Sequence, residues 1–183
     1  MRGSFVLAGI VAAAATAAVC ATPTLARDDS SKAQQAAAKD QKAFIRTAIQ
    51  GNLAEIDIGK LAQQRSGNAE VKAFGRMLVE DHSAANEKAR QVAQDLKVTP
   101  PSRPSLKERA GYAKLALLRG ATFDRTFAKH MVSDHQKDIA AYRAQAQAGA
   151  EPTAGMANDV LPTLEKHFGE AQRLKTEVAA QKR

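Results

Sequence analysis

Residues Asn68–Val98 read NAEVKAFGRMLVEDHSAANEKARQVAQDLKV. Apolar side chains recur here in steps of three and four, which is the spacing of one buried stripe along an α-helix. Asn68 precedes the stripe and suits a helix N-cap, because its side chain can accept a hydrogen bond from the first turn. The members of the stripe are Val71, Phe74, Leu78, His82, Ala85, Ala89, Val92 and Leu96. A histidine therefore lies inside the apolar face of a long helix.

The rest of the chain repeats this helical pattern. Together with the first, the predicted helices cover about residues 40–65, 68–98, 105–119, 122–148 and 153–181. Four long helices with a short one in the middle connection are the parts of a ferritin-like four-helix bundle with a crossover. The predicted fold class is therefore all-α, with this ferritin-like bundle as its architecture. An up-down bundle with a short fifth helix is the alternative.

Local signals set the predicted helix ends. Asp40 and Thr122 are the expected N-caps of two long helices. Ser105 and Glu108 have the spacing of a capping box, in which each side chain bonds the backbone of the other residue. Gly120 is expected to end the short helix, because glycine readily leaves the helical conformation.

The composition excludes several classes of protein. The 183 residues suffice for about one domain, and the chain has no Trp and a single Cys. That count excludes an intrachain disulfide or a thiolate metal site. The net charge is +8, but the basic residues are spread among acidic ones, so nucleic acid is not an expected partner. The sequence has no Gly-rich phosphate loop and no nucleophile elbow.

Residues 1–26 have the order of a cleaved secretory signal peptide: Arg2, an apolar run, and then small residues with a proline. The predicted cleavage follows Ala26. The apolar run is shorter than the roughly 20 residues that a permanent membrane span needs. Val19 stands where a lipoprotein signal has a small residue, which argues against a lipid anchor on Cys20.

The leader predicts an exported protein, periplasmic or associated with the outer membrane. Residues 27–39 are polar and alanine-rich without an apolar stripe, so they are expected to form a flexible tether. Residues 40–183 are expected to form the bundle domain, with no transmembrane span in the mature chain. Weak association with the envelope surface and self-association into an oligomer are open partner hypotheses.

Polar residues interrupt the apolar stripes at a common height. Glu55, His82, His135 and His167 each lie near the middle of a different predicted long helix. Because a buried unpaired polar group costs about 1–3 kcal/mol, these residues need partners, and Asp81, Asp134 and Asp138 are available acceptors. A metal site and a structural hydrogen-bond network are both open interpretations of this layer.

Several motifs together resemble one bacterial family, the domain of unknown function 4142 family of exported envelope proteins. The motifs are FIRTAIQGNLAEI at 44–56, GKLA at 59–62, NAEVKAF at 68–74, Asp81-His82, Asp134-His135, and LPTL at 161–164 followed by His167. The resemblance covers about residues 40–174. It implies a ferritin-like helical bundle and no particular activity.

The metal hypothesis uses His82, His135, His167, Glu55, Asp81 and Asp134 as candidate ligands. Imidazole and carboxylate donors suit a divalent transition metal such as zinc, iron or copper. A classical di-iron centre needs a glutamate three residues before a histidine on two helices. The residues at those positions are Val79, Val132 and Leu164. A carboxylate-bridged di-iron site is therefore not expected.

The sequence favours a non-enzymatic role. The first hypothesis is an exported bundle that binds or buffers metal, with a role in stress, through the His/carboxylate layer. The second is a structural or protein-interaction envelope protein whose polar layer only specifies the fold. An oxidase or peroxidase that uses the same layer is a third, weaker hypothesis.

Overall fold

Five helices make up the fold. The computed structural model describes residues 25–180, and among residues 25–33 it describes the side chain of Lys32 alone. The elements are α1 (Leu25–Arg65), α2 (Ala69–Asp95), α3 (Leu106–Ala116), α4 (Gly120–Ala148) and α5 (Thr153–Ala180). No strand occurs between residues 25 and 180, so the predicted all-α fold with a short helix in the middle connection is confirmed. The predicted signal peptide, 1–26, lies almost wholly outside the described residues.

Helix α1 begins earlier than the sequence predicts. Asp40 is not its N-cap, because the helix extends back to Leu25 through the segment 27–39 that was expected to be a tether. Three consecutive alanines in this segment have high helix propensity, and no glycine or proline interrupts it. Residues 34–40 are all exposed, and burial against the other helices begins at Gln41.

The other predicted helix ends are partly correct. The Asn68 side chain accepts hydrogen bonds from the first turn of α2, and Ser105 and Glu108 form the expected capping box. Thr122 is not an N-cap, since α4 already begins at Gly120 and Arg119 takes the cap position without a side-chain bond. Nor does Gly120 end α3, which stops at Ala116 and closes with a tight backbone turn.

The long helices are joined by one crossover. Apolar residues from the C-terminal half of α1, the N-terminal halves of α2 and α4, and the C-terminal half of α5 share one cluster. The opposite halves of α2, α4 and α5 share a second cluster with the middle of α1, residues 44–53. Helices α2 and α4 therefore run in the same direction, so residues 96–119 must return along the length of the bundle. This connectivity matches the predicted crossover and excludes the up-down alternative. Helix α3 packs on α1 and α4.

The predicted polar layer lies between the two apolar clusters. His82 is flanked along α2 by Leu78 of the first cluster and Ala85 of the second. His135 and His167 occupy the corresponding positions on α4 and α5, and Glu55 does so on α1. These three histidines and Glu55 are buried, with apolar packing above and below them. None of the helices described between residues 25 and 180 is long and apolar enough to cross a membrane.

Two glycines let α1 and α2 approach closely at the level of the first apolar cluster. A Cβ atom built on Gly75 would lie 2.7 Å from the carbonyl oxygen of Gly59, and one on Gly59 would lie 2.7 Å from that of Gly75. Neither distance is compatible with a real side chain. The pair therefore sets the helix separation that brings α1 polar side chains to the bundle interior.

Replacing Gly75 with alanine should destabilise the protein by about 1–3 kcal/mol, because the new methyl group overpacks against backbone that cannot rotate away. Chemical denaturation of both proteins measures the effect. Gly169→Ala is the matched control, since that helical glycine has nothing within 4 Å of an added Cβ. It should stabilise by about 0.4–1 kcal/mol. Equal effects of the two substitutions would contradict close α1–α2 packing.

Candidate metal centre

Three buried histidines meet at the centre of the bundle. His82 on α2 is 3% exposed, and His135 on α4 and His167 on α5 are fully buried. One ring nitrogen of each lies within 4.8 Å of a ring nitrogen of the other two. The ring centroids are 5.2–5.7 Å apart, and Phe74 packs against two of the rings from the side of the first apolar cluster. We call these three residues the histidine cluster.

Each imidazole donates a hydrogen bond outward from the cluster. The Nδ1 atom of His135 lies 3.0 Å from the carbonyl oxygen of Met131, one turn earlier in α4. The Nε2 atom of His167 lies 2.8 Å from Oδ2 of Asp81, and Nδ1 of His82 lies 3.0 Å from Oδ1 of Asn52. Because all three oxygens are acceptors, these ring nitrogens carry the hydrogens.

The remaining ring nitrogens hold lone pairs that face the interior. These are Nε2 of His82, Nε2 of His135 and Nδ1 of His167. The last two are only 3.3 Å apart, yet neither has a hydrogen to offer while both rings are neutral. Nε2 of His82 is buried without any hydrogen-bond partner. The cluster therefore lacks an electron-pair acceptor at its centre.

Protonation of a ring nitrogen in the histidine cluster is unfavourable at pH 7. Burial lowers the pKa of His82 well below its ordinary value, and the two neighbouring imidazoles lower it further. Burial, followed by the proximity of His167, lowers the pKa of His135 to about 4. Burial also lowers the pKa of His167, although the bond to Asp81 works in the opposite direction. All three rings are thus neutral at pH 7, which is the form that binds metal.

The spacing of two of the three lone pairs fits a metal ion. Two nitrogens that bind one zinc ion tetrahedrally at about 2.0–2.1 Å are about 3.3 Å apart. That is the observed separation of His135 Nε2 and His167 Nδ1. The outward bonds to a carboxylate, a carbonyl and an amide are the kind of contacts that fix the orientation of metal-binding histidines. A cavity of about 50 Å³ beside His82 leaves room for a water molecule as a further ligand.

A second polar group lies between α1 and α4. Glu55, Asp134 and Asp138 each place one carboxylate oxygen within 4.8 Å of the others, and we call them the acidic cluster. Burial raises the pKa of Glu55 well above its ordinary value, and repulsion from Asp134 and Asp138 raises it further. Burial and then Asp134 raise the pKa of Asp138 to about 7.

The six candidate ligands thus divide between two clusters. The three histidines converge as expected from their heights, whereas Glu55 and Asp134 belong to the acidic cluster. Asp81 bonds the outer nitrogen of His167 and reaches Lys166 at 4.0 Å, so it orients the ring from outside. Sequence reasoning named Asp138 as an acceptor but not as a candidate ligand, and it assigned neither Asn52 nor the Met131 carbonyl to the site. Asn52 and Asp138 could be found from the sequence, because they are polar residues on predicted inner faces. The carbonyl of Met131 could not.

Sequence comparison decides the family. The profile of the domain of unknown function family DUF4142 matches residues 26–174. The chain belongs to the DUF4142 family. No curated relative matches it. The family resemblance stated from the motifs is therefore confirmed, and DUF4142 proteins carry no assigned activity by that description.

Solved structures of similar fold come from the DUF305 proteins and from CopM. A DUF305 fragment from Deinococcus radiodurans has a TM-score of 0.65 and 16% identity, over 78% of this chain and 97% of that one. A DUF305 protein from Streptomyces coelicolor has a TM-score of 0.64 and 12% identity, over 79% of this chain and 96% of that one. CopM has been solved in Cu(I)-bound and Cu(II)-bound forms. Each form has a TM-score of 0.63 and 17% identity, over 75% of this chain and 96% of that one. At these identities the likeness shows that this DUF4142 chain shares their helical fold.

The raised pKa of Asp138 predicts a pH-dependent stability in the presence of a chelator. The folded protein holds this proton up to about pH 7, while the unfolded chain releases it near pH 3.8, so stability falls as pH rises between these values. Asp138→Asn removes the effect. The free energy of unfolding of Asp138→Asn minus that of the wild type should rise by about 1 kcal/mol or more between pH 4 and 7. Above pH 7 this difference should stay constant. A pH-independent difference in urea denaturation would contradict this.

Proposed function

We propose that this protein binds a zinc or copper ion through His82, His135 and His167. The observation that carries the proposal is the 3.3 Å approach of His135 Nε2 and His167 Nδ1, whose hydrogens are held on the opposite nitrogens by Met131 and Asp81. Two lone pairs at that distance repel unless a cation accepts both. The orphaned Nε2 of His82 supplies the third donor.

The donor set favours zinc or copper over iron. Neutral imidazole suits zinc and copper, whereas non-haem ferrous sites usually add a carboxylate ligand. The carboxylate nearest to the histidine cluster, Asp81, bonds a ring nitrogen instead. CopM has the same fold and its solved forms hold Cu(I) and Cu(II), which makes copper the metal to test beside zinc.

The enclosure of the histidine cluster supports a role in holding metal rather than in turnover. Catalytic metal sites keep a coordination position open to substrate. Here the rings are at most 3% exposed, and the adjoining cavity of about 50 Å³ admits little more than water. Together with the predicted leader at residues 1–26, this supports the proposal of an exported metal-binding or metal-buffering protein of the bacterial envelope.

Wild-type protein should bind about one zinc or copper ion per chain, and the free energy of unfolding should rise with metal. At a free metal concentration of about a hundred times Kd, the expected gain is about 2.7 kcal/mol. His135→Ala and His167→Ala should lose this gain, because each removes one of the paired donors. Asp81→Asn should weaken binding by about 10–100-fold, since it removes the bond that orients His167. Calorimetric titration and denaturation with and without metal measure these effects.

His130→Ala is the matched control. His130 is the fourth histidine and is half-buried on α4, but it is outside the histidine cluster. Its variant should bind metal as tightly as the wild type. If metal left the stability of the wild type unchanged while His82→Ala still destabilised the fold, the layer would serve structure alone, as in the alternative hypothesis.

A further inference from the structure

The acidic cluster contains a buried carboxyl group, Glu55, whose ionised form has no hydrogen-bond donor beside it. Glu55 is 2% exposed, and both of its carboxylate oxygens are buried without a hydrogen-bond partner. An ionised carboxylate in an apolar environment is very costly unless a cation neutralises it. An apolar side chain at this position of α1 would avoid that cost. Asp134 of the same cluster lies within reach, but a hydrogen bond between these two carboxyl groups requires one of them to hold a proton.

Two aspartates from α4 complete a set of oxygen donors. Asp134 and Asp138 are four residues apart, so they project from the same face of the helix toward α1. With Glu55 they supply three carboxylate oxygens that lie mutually within 4.8 Å. Oxygens on opposite sides of a calcium ion are about 4.6–5.2 Å apart, and those around magnesium are closer. One ion could therefore contact all three side chains.

The cluster is reachable from solvent. Asp134 and Asp138 are partly exposed and line a cavity of about 430 Å³ between α1, α3 and α4. Glu108 on α3 lines the same cavity and adds a further acidic group, and Lys107, Lys114 and Lys137 line it as well. Lys137 forms an ion pair with the cluster, and its Nζ atom lies 3.8 Å from Oδ1 of Asp134. One such ion pair leaves two of the three cluster carboxylates without a cationic partner among the ion pairs of the described residues.

We propose that Glu55, Asp134 and Asp138 form a second cation site, separate from the histidine cluster, that binds a hard divalent cation such as Mn²⁺, Mg²⁺ or Ca²⁺. All of its donors are oxygens, whereas those of the histidine cluster are nitrogens. Oxygen donors select hard cations and imidazoles select zinc or copper. The two sites therefore have different preferences although Asp134 and His135 are adjacent in the chain.

Manganese is a suitable probe, because bound and free Mn²⁺ differ in their electron paramagnetic resonance signals. The full-length protein should bind about one Mn²⁺, and Mn²⁺ should raise its melting temperature. Loss of a partner that merely orients a ligand costs about 10–100-fold in affinity, so loss of a direct ligand should cost at least as much. Glu55→Gln and Asp138→Asn should each weaken Mn²⁺ binding by at least that factor.

Two controls separate this site from the proposed zinc or copper site. His135→Ala should retain Mn²⁺ affinity, and Glu55→Gln should retain zinc or copper affinity. Asp159→Asn changes an exposed carboxylate on α5 and should leave Mn²⁺ binding unchanged. The second site would be refuted by equal Mn²⁺ affinity in wild type and Glu55→Gln, or by the absence of Mn²⁺ binding at millimolar concentration. In both cases protons alone would neutralise the cluster.

Discussion

The central constraint in this structure is the directional bonding of three neutral imidazoles in a dry interior. Each ring has one hydrogen and one lone pair, and each hydrogen is committed to an acceptor outside the cluster. The lone pairs are thereby left to face one another, although burial and mutual repulsion keep protons away. A buried polar network that is only partly satisfied is costly. The proposed metal ion would satisfy it by accepting these lone pairs.

The fold produces this arrangement from simple parts. A single crossover brings α2, α4 and α5 together with their mid-points at one level, and apolar clusters above and below exclude water. Close contact at Gly59 and Gly75 draws α1 in, so that Asn52 reaches His82 and Glu55 reaches the aspartates of α4. The interior layer consequently has a nitrogen-rich part and an oxygen-rich part side by side.

The sequence predicted the height of the polar layer but not its division. Helical periodicity and residue counting place His82, His135 and His167 on inner faces at mid-length, and the structure brings them together. Periodicity does not fix which neighbour each inner face meets, so Glu55 and Asp134 could not be separated from the histidines beforehand. The acceptor for His135 is a backbone carbonyl, which no sequence pattern reveals. The early start of α1 was not predicted, because residues 27–39 have no apolar stripe. Their alanines favour a helix through intrinsic propensity alone.

The tautomers of the three histidines test the central claim most directly. Nuclear magnetic resonance of ¹⁵N-histidine-labelled protein at pH 7, with a chelator present, reports which ring nitrogen carries the hydrogen. The account predicts three neutral rings protonated at Nδ1 of His82, Nδ1 of His135 and Nε2 of His167, with all three lone-pair nitrogens shifting when zinc is added. A charged imidazolium in the cluster, or a hydrogen on Nδ1 of His167, would contradict it.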